Sequence, residues 1–382
     1  MSTASPDRRS STTDAAPLLP VTGDGRDSAH LKVVPPAKDV RERIRRREGD
    51  PPPQPDPIAC TEVIAYDFLR AGGKHFRPFI TLAVYDALRG GHGTQTDGAE
   101  HVGRIPDAVR CMALAIEVFH KASLVHDDIE DDDAYRYGRP TLHRQHGTAT
   151  AINVGDYLIG LGYRLVADQA GRLAPEVVAR LLKMFADAHT KLCEGQGAEL
   201  AWRDGRDKQL EPIDALKIYA LKTAPAFEAA MMAGVHLAGS AEPYAEAVAQ
   251  YCRHLGVAYQ ILNDLDDWQS DASNKRESGG DVRHGRPTVL WALARRDLDE
   301  ADRKQLETLA GAGRPDQQTV EQIARLYAKA DVYRKAAELV ARHHKRALQA
   351  AETIDSPPLR RLLDFLGDAI LDRRPLAISE AG

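Results

Sequence analysis

The sequence predicts an all-α fold, with a single large helical domain around a deep central cavity. Ala and Leu dominate the apolar residues and only 6% of residues are aromatic, which favours helix because strands draw on β-branched and aromatic side chains. Apolar residues recur at spacings of three and four, and no alternating run with hairpin turns is present. At 382 residues the chain exceeds a four-helix bundle, so its helices can enclose a cavity.

The chain divides into a tail and a body. Ten of the 22 prolines lie in the first 57 residues, together with many Ser, Thr, Asp and Gly. Such a segment has little apolar surface to offset its chain entropy, so residues 1–56 are predicted to be disordered. Residues 57–382 are predicted to form the helical domain.

Helices are predicted in order along this body from the apolar periodicity and from Gly residues that end it. His343 and His344 fall in a long polar helix, and both are predicted to be solvated. The predicted helices span 61–71, 79–90, 107–130, 150–170, 175–194, 211–238, 242–268, 287–297, 319–353 and 357–372.

Charge and composition restrict the class of protein. The net charge is −5, which gives no support to nucleic-acid binding. The four cysteines contain no CxxC pair, which argues against a structural zinc site and suits a reducing compartment. No apolar run approaches the ~20 residues of a membrane span, and no secretory signal is apparent. The expectation is a cytoplasmic protein without a transmembrane segment.

The strongest local feature is the acidic run HDDIEDDD at 126–133. Asp127, Asp128 and Asp131 are spaced to share one helix face. Like charges at a helix C-terminus repel each other and oppose the helix dipole, so a bound cation would relieve them. An all-oxygen ligand set suits Mg²⁺. The alternative is a solvated acidic helix end.

A second acidic run, YQILNDLDDWQSD at 259–271, repeats this geometry through Asn263, Asp264 and Asp267. Two such faces would form a metal-lined mouth if their helices packed side by side. Basic residues beside Gly or Pro recur at predicted helix boundaries, and Arg forks with Lys charges around Mg²⁺ are suited to a diphosphate. These basic segments lie at 72–78, 135–143, 221–223 and 274–288.

Taken together, these motifs resemble the polyprenyl synthetase family of trans-isoprenyl diphosphate synthases, and geranylgeranyl diphosphate synthases in particular. DDIED (127–131) and NDLDD (263–267) resemble the family's two aspartate-rich motifs, and the resemblance spans about 60–290. The other matching segments are GGKHFRP (72–78), EVFHKASLVHDD (117–128), GRPTLH (138–143), EGQGAEL (194–200), Lys222–Thr223 and GGDVRHGRPT (279–288).

The resemblance implies an isoprenoid-synthase fold, a homodimer, and a prenyltransferase that condenses isopentenyl diphosphate with an allylic diphosphate into an all-trans polyprenyl diphosphate. It implies three Mg²⁺ ions and catalytic roles for Asp127, Asp128, Asp131, Lys222 and Asp264. The implied metal ligands are Asp127, Asp128, Asp131, Asn263, Asp264 and Asp267. The implied allylic diphosphate residues are Arg136, Lys222, Thr223, Gln260, Lys275 and Arg286, and the isopentenyl diphosphate residues are Lys74, Arg77 and His120.

Three positions depart from the family pattern. Tyr137 stands where the family has a second arginine for isopentenyl diphosphate, Asn263 replaces an aspartate, and Arg286 replaces a common lysine. A tyrosine cannot supply the charge or fork of arginine. Either nearby basic residues compensate, or the enzyme ionises a prenyl diphosphate as a cyclase or non-elongating prenyltransferase. A third hypothesis is a regulatory subunit of a synthase heteromer.

Product length is predicted from the helix that leads to Asp127. In the family, a bulky residue four or five positions before the first aspartate stops chain growth. Here those positions hold the small residues Ser123 and Ala122. The next large side chain is Phe119, eight residues before Asp127 and therefore ~12 Å from it along the helix. A product longer than C15 is therefore expected, with C20 the central prediction; the alternative is that Phe119 is ordinary core.

Overall fold

The computed structural model describes residues 56–73, 75–94, 104–205, 209–239, 241–268, 279–311 and 315–371. The predicted disordered tail, apart from Asp56, lies outside these residues, and so do Lys74 and Lys275.

Helices account for nearly all of the described secondary structure, so the all-α prediction is confirmed. The first half contains α1 (Cys60–Arg70), α2 (Phe76–Leu88), a 3₁₀ turn (His92–Thr94), α3 (Asp107–Glu130), strands β1 (Tyr135–Arg136) and β2 (Arg139–Pro140), α4 (Leu142–His146), α5 (Thr148–Ala167) and α6 (Pro175–Asp204). The second half contains α7 (Pro212–Ala238), α8 (Ala245–Asp266), α9 (Gly280–Arg283), α10 (Val289–Asp297), α11 (Glu300–Gly311), α12 (Gln317–Lys329), α13 (Val332–Glu352) and α14 (Pro357–Leu371).

Two apolar clusters hold these helices together. The larger cluster joins α1–α3 and α5–α8 with the C-terminal helices, and fully buried Met112, Leu158 and Tyr251 lie within it. The smaller cluster packs α7 and α8 against α10–α13 around Leu290 and Tyr327. Because α7 and α8 belong to both clusters, they connect the two halves of the domain.

Glycines allow α6, α7 and α8 to approach closely. A Cβ at Gly195 of α6 would lie 2.5 Å from the backbone nitrogen of Lys222, and a Cβ at Gly256 of α8 would lie 2.9 Å from the Cα of Ala224. A side chain at either position would push these helices apart. The two glycines therefore bring Lys222 on α7 close to the residues of both neighbouring helices.

The structure differs from the predicted helices in several places. The single helix predicted at 319–353 is two helices, because Asp331 adopts a left-handed backbone conformation with φ 55° and separates α12 from α13. Helix α11 was not predicted, since its surface is mostly charged. A two-residue antiparallel ladder between β1 and β2, with Arg136 opposite Arg139, was also missed. Within the described residues, no helix is long and apolar enough to cross a membrane.

Candidate active site

The first acidic cluster lies at the C-terminal end of α3, where the long apolar helix emerges from the core. Asp127 and Asp128 occupy the last turn and Asp131 follows as the C-cap. Asp128 is 1% exposed and Asp131 is 9% exposed. Burial raises the pKa of Asp127 to about 7, and it raises that of Asp128 to about 6 despite the nearby Arg136. The alternative of a solvated acidic helix end is therefore wrong.

Arginines balance two of these carboxylates. Arg136 donates through Nε to Asp128 Oδ1 at 2.8 Å and also contacts Asp133 at 3.3 Å. Arg203 of α6 lies 3.4 Å from Asp131 Oδ1. Arg286 lies 2.9 Å from Asp131 Oδ2. The predicted diphosphate residues Arg136 and Arg286 are thus beside the first cluster, paired with its carboxylates.

The second acidic cluster lies at the C-terminal end of α8. Asp264 is 3% exposed and accepts a short hydrogen bond from the Tyr219 hydroxyl of α7. That hydroxyl in turn accepts a hydrogen bond from the Val289 amide at 2.7 Å. Burial raises the pKa of Asp264 well above its usual range. Sequence reasoning missed Tyr219, which lies three residues before Lys222 and carries no motif of its own.

The other members of the second cluster also have protein contacts. Asp267 Oδ2 accepts a hydrogen bond from the Asp281 amide at 2.9 Å and so caps the short helix α9. Asn263 Nδ2 lies 3.5 Å from Gln260 Oε1, which also accepts from the Thr223 hydroxyl at 3.1 Å. The structure therefore brings together Thr223 and Gln260, predicted for the allylic diphosphate, and Asn263, predicted as a metal ligand.

Lys222 of α7 lies near the first cluster and pairs with a buried glutamate of α6. Its ammonium donates to Glu199 Oε2 of α6 at 2.8 Å, and the other oxygen of Glu199 is buried without a hydrogen-bond partner in the described structure. Attraction to Glu199, Asp127 and Asp131 outweighs the effect of burial and raises the pKa of Lys222. Glu199 was not singled out from the sequence, although its motif EGQGAEL was.

A second group of polar residues lies at the start of α2, facing α3. Arg77 donates to His120 Nε2 at 3.1 Å, and its guanidinium lies 5.3 Å from the centre of the Phe227 ring. Burial and the positive charge of Arg77 lower the pKa of His120 well below its usual value, which favours the neutral imidazole. His75 donates to Glu117 at 3.1 Å. The structure thus brings two predicted isopentenyl diphosphate residues, Arg77 and His120, into direct contact.

The predicted chain-length wall lies two turns before the first cluster. Phe119 is half-buried, and its ring centre lies 4.9 Å from that of Tyr163 and 5.4 Å from that of Phe185. A Cβ at Gly162 would lie 2.7 Å from the Phe119 ring. Ala122 is 1% exposed. Phe119 is therefore part of a three-ring aromatic cluster contributed by α3, α5 and α6, of which the sequence identified one member.

The two acidic clusters have the chemistry of a divalent-cation site. Their donors are carboxylate and amide oxygens, which Mg²⁺ prefers, and Asp128 Oδ2 is buried without a hydrogen-bond partner in the described residues. In the described part of the chain, no three His, Cys, Asp or Glu side chains converge as a metal cluster. Guanidinium groups and the Tyr219 hydroxyl contact several of the carboxylate oxygens. The oxygen donors fit Mg²⁺, which would compete with the arginines for these carboxylates.

Comparisons with known proteins match most of the chain. The family model described as polyprenyl synthetase matches residues 59–327. The short chain isoprenyl diphosphate synthase of Methanothermobacter thermautotrophicus is 29% identical over 333 residues, which cover 87% of this chain and 94% of that protein. Both acidic clusters lie within the matched residues.

Solved structures show the same fold. The geranylgeranyl pyrophosphate synthetase of Pyrococcus horikoshii has 29% identity and a TM-score of 0.68, covering 81% of this chain and 90% of that one. The polyprenyl synthase of Caulobacter crescentus, solved with calcium and isoprenyl diphosphate, has 26% identity and a TM-score of 0.69, covering 84% and 90%.

Proposed function

The chain belongs to the polyprenyl synthetase family, and on that premise we propose that it condenses isopentenyl diphosphate with an allylic diphosphate to give an all-trans polyprenyl diphosphate. The observation that carries the proposal is that α7 interacts with both acidic clusters: Asp127 and Asp131 of the first attract the ammonium of Lys222, and Asp264 of the second accepts a hydrogen bond from Tyr219. Arg77 and His120 provide a separate polar site next to α3. Two sites of this kind suit two diphosphate substrates.

The allylic diphosphate is proposed to bind between the clusters. Lys222 and Arg136 would contact its oxygens, with Thr223 and Gln260 on the α7–α8 side; Arg286 and Lys275 complete the proposed set. Asp127, Asp128 and Asp131 would hold Mg²⁺ together with Asn263, Asp264 and Asp267, with three ions per site. When bound, Mg²⁺ neutralises the diphosphate and makes it a better leaving group. If the arginines contacted the phosphate oxygens instead, the carboxylates would be free to bind Mg²⁺.

The acceptor is proposed to bind at the second polar site, through Arg77, His120 and Lys74. Its double bond attacks C1 of the allylic substrate, the C1–O bond breaks, and the released diphosphate takes the proton lost from the acceptor. A neutral His120 can accept or donate a hydrogen bond without adding charge near the reacting carbons. The apolar walls of α3, α7 and α8 exclude water, which would otherwise capture the cationic intermediate.

The product is proposed to be C20 or longer. Ala122 and Ser123 are small, and the first bulky side chain on that helix is Phe119, in its aromatic cluster with Tyr163 and Phe185. We further propose a cytoplasmic homodimer, in keeping with the family resemblance and with the buried free thiols Cys111 and Cys252. Light scattering on the purified protein measures the oligomeric state directly.

A second candidate function rests on Tyr137. It occupies the position of the family's second arginine, and its side chain lies against the loop that precedes Lys74. If this change had removed acceptor binding, the protein would ionise a prenyl diphosphate as a cyclase or transfer it to another acceptor. A regulatory subunit is the less favoured third function, because both acidic clusters are present.

One experiment separates these functions. The protein is incubated with Mg²⁺, isotopically labelled isopentenyl diphosphate and each allylic diphosphate in turn, and the products are extracted and separated. Label in a prenyl diphosphate supports chain elongation. Consumption of the allylic diphosphate without incorporation of label indicates a cyclase or another acceptor. No consumption of any donor supports the subunit function.

A further inference from the structure

Lys121 is a lysine with no exposed surface, on α3 between His120 and Ala122. Lysine is rarely buried completely unless its charge is compensated. Its ammonium donates to the Ala71 carbonyl at 2.6 Å and to the Gly72 carbonyl at 2.5 Å. Both carbonyls belong to the loop between α1 and α2. Two of the three ammonium hydrogens are thus committed to the backbone of this loop.

The third partner of the ammonium is an aromatic ring. Lys121 Nζ lies 4.2 Å from the centre of the Tyr137 ring, well inside the range of a cation–π contact, and 5.4 Å from that of Phe68. Because carbonyls and rings saturate the ammonium, Lys121 is not free to contact a substrate. Its charge instead acts on the groups packed around it.

Tyr137 also touches the same loop. A Cβ built on Gly73 would lie 3.3 Å from the Tyr137 hydroxyl and 3.7 Å from Lys121 Nζ, and one on Gly72 would lie 3.7 Å from the Tyr137 ring. Gly73 has φ 141°, a conformation that side chains disfavour. Tyr137 itself has φ 53°, a strained value for a bulky residue. Lys121 and the Tyr137 ring therefore hold the 71–73 loop from adjacent sides.

This loop leads directly into Lys74 and Arg77. We propose that Lys121 and Tyr137 form one positioning unit, which sets the loop so that the acceptor diphosphate is bound by the residues after it; this inference rests on the proposed function. Tyr137 is then the partner of a buried cation, and not merely the replacement of a substrate-binding arginine. An arginine at 137 would put a second positive charge beside the Lys121 ammonium and remove the ring that stabilises it.

The positioning unit predicts that Tyr137→Arg weakens acceptor binding, whereas a simple loss of the family's arginine would predict that it strengthens it. Steady-state kinetics compare wild type with Tyr137→Phe, Tyr137→Leu, Tyr137→Arg, Lys121→Met and the double variant Lys121→Met/Tyr137→Arg. Tyr137→Arg and Tyr137→Leu should each raise KM for isopentenyl diphosphate about tenfold, within the range expected for the loss of one cation–π contact. Tyr137→Phe keeps the ring and should stay within about twofold of wild type, and KM for the allylic substrate should stay within about twofold throughout.

The double variant is the decisive measurement. Removing the lysine charge should make room for arginine, so Lys121→Met/Tyr137→Arg should bind the acceptor better than Tyr137→Arg alone. Tyr135→Arg, at a 53% exposed position of β1 two residues before Tyr137, is the matched control for an added charge and should leave acceptor KM unchanged. A lower acceptor KM in Tyr137→Arg, strictly multiplicative effects in the double variant, or an equal rise in allylic KM would overturn the proposal.

Hydrogen exchange keeps this test separate from the proposed function. In the full-length protein without substrate, amides of the peptide around Gly72 and Gly73 should exchange faster in Lys121→Met and Tyr137→Leu than in wild type, while Tyr137→Phe matches wild type. If wild type incorporates no labelled isopentenyl diphosphate, the proposed function fails and the exchange data alone decide on the pair. Unchanged exchange in both variants would contradict the positioning unit. Circular dichroism and thermal unfolding identify any variant that has lost its fold.

Discussion

The guanidinium of Arg286 lies 2.9 Å from Asp131 Oδ2 and connects the end of α3 to the segment that follows the second acidic cluster. Its other terminal nitrogen lies 3.0 Å from Asp281 Oδ1, and the Asp281 amide donates to Asp267 Oδ2 at 2.9 Å. A continuous path of polar contacts therefore links the two acidic clusters through one arginine. Arg286 was predicted from the sequence as a diphosphate ligand; that role stays a prediction.

Arg286→Gln should destabilise the protein, because it leaves Asp131 and Asp281 buried without their main positive partner. We expect a loss of about 3 kcal/mol in the free energy of unfolding, measured by urea denaturation. Arg295→Gln, which breaks the Arg295–Glu307 pair at the surface, is the matched control and should cost less than about 1 kcal/mol. Equal losses in the two variants would show that Arg286 stabilises the protein no more than a surface ion pair does.

The two clusters should respond differently to loss of a carboxylate. Asp127→Asn should abolish turnover without loss of stability, because a buried carboxylate whose pKa is raised to about 7 is poorly solvated in its charged form. Asp264→Ala should abolish turnover and also lower the free energy of unfolding by about 1–3 kcal/mol, because it leaves the Tyr219 hydroxyl without its acceptor. Thermal unfolding and the labelled-substrate assay measure the two effects.

A Tyr219→Phe variant is the control for this comparison. It removes the hydrogen bond from the opposite side and should lose stability like Asp264→Ala, while keeping measurable turnover. Substantial activity in Asp127→Asn, or in wild type treated with EDTA, would contradict the proposed metal role of the first cluster.

Product length should depend on the aromatic cluster around Phe119. Phe119→Ala should lengthen the product by opening the end of the cavity, and Tyr163→Ala should do the same, since its ring packs edge-on against Phe119. Ala122→Phe should shorten the product. Reverse-phase chromatography of the dephosphorylated products gives the distribution.

Phe68→Leu provides a control for this prediction, since Phe68 is a buried aromatic residue of α1 and should leave product length unchanged. A wild-type product of C15, or unchanged distributions in Phe119→Ala and Ala122→Phe, would contradict the predicted path of the growing chain.

Stability should fall in mild acid through a buried histidine pair. His343 Nδ1 of α13 lies 3.1 Å from His254 Nδ1 of α8. Burial, with His254 and the charges of Arg346, Arg342 and Arg253, lowers the pKa of His343 to about 4. The unfolded histidine, with a pKa of about 6.5, therefore binds a proton at a pH where the folded one stays neutral. The stability that comes from the neutral His343 is fully present above pH 6.5, and it is lost as the pH falls from about 6.5 to 4.

His343→Gln should reduce this acid dependence by about 1–2 kcal/mol, less than the full shift implies because solvent partly screens the site. Urea denaturation of both proteins at pH 7.5 and pH 4.5 measures the difference. The control is His146→Gln, at an exposed position of α4, which should keep the wild-type dependence. An identical slope in His343→Gln would show that the pair does not carry the effect.

Much of the fold and of the site could be predicted because the relevant information is local. The spacing of three and four in the apolar residues predicts α3 and α8, and the same spacing puts Asp127 and Asp131 on one face. The motif resemblance was sufficient to identify the family, which the family model confirms over residues 59–327. The small residues at 195 and 256 were within reach of sequence reasoning, but their role as helix contacts was not.

The errors concern burial and pairing. The polar pattern of α13 predicted solvated histidines, yet His343 is 8% exposed, because α13 packs along α8 and the pattern of one helix does not show which face its neighbour covers. Tyr219 was missed for the same reason, since its partner Asp264 lies 45 residues away. The sequence predicts a cavity wall at Phe119 and Ala122 and an acceptor ligand at His120, but its pattern does not reveal that Lys121 between them is buried.

The sequence by itself determined the helical fold class, the family and the two acidic helix ends, because backbone periodicity and side-chain spacing act over a few residues. Only the tertiary structure decided which charges meet: Arg286 with Asp131, Tyr219 with Asp264, and Lys121 with the 71–73 loop and Tyr137. These pairs join residues distant in the chain, and each depends on burial, since removing water makes an unpaired charge costly and so selects its partner.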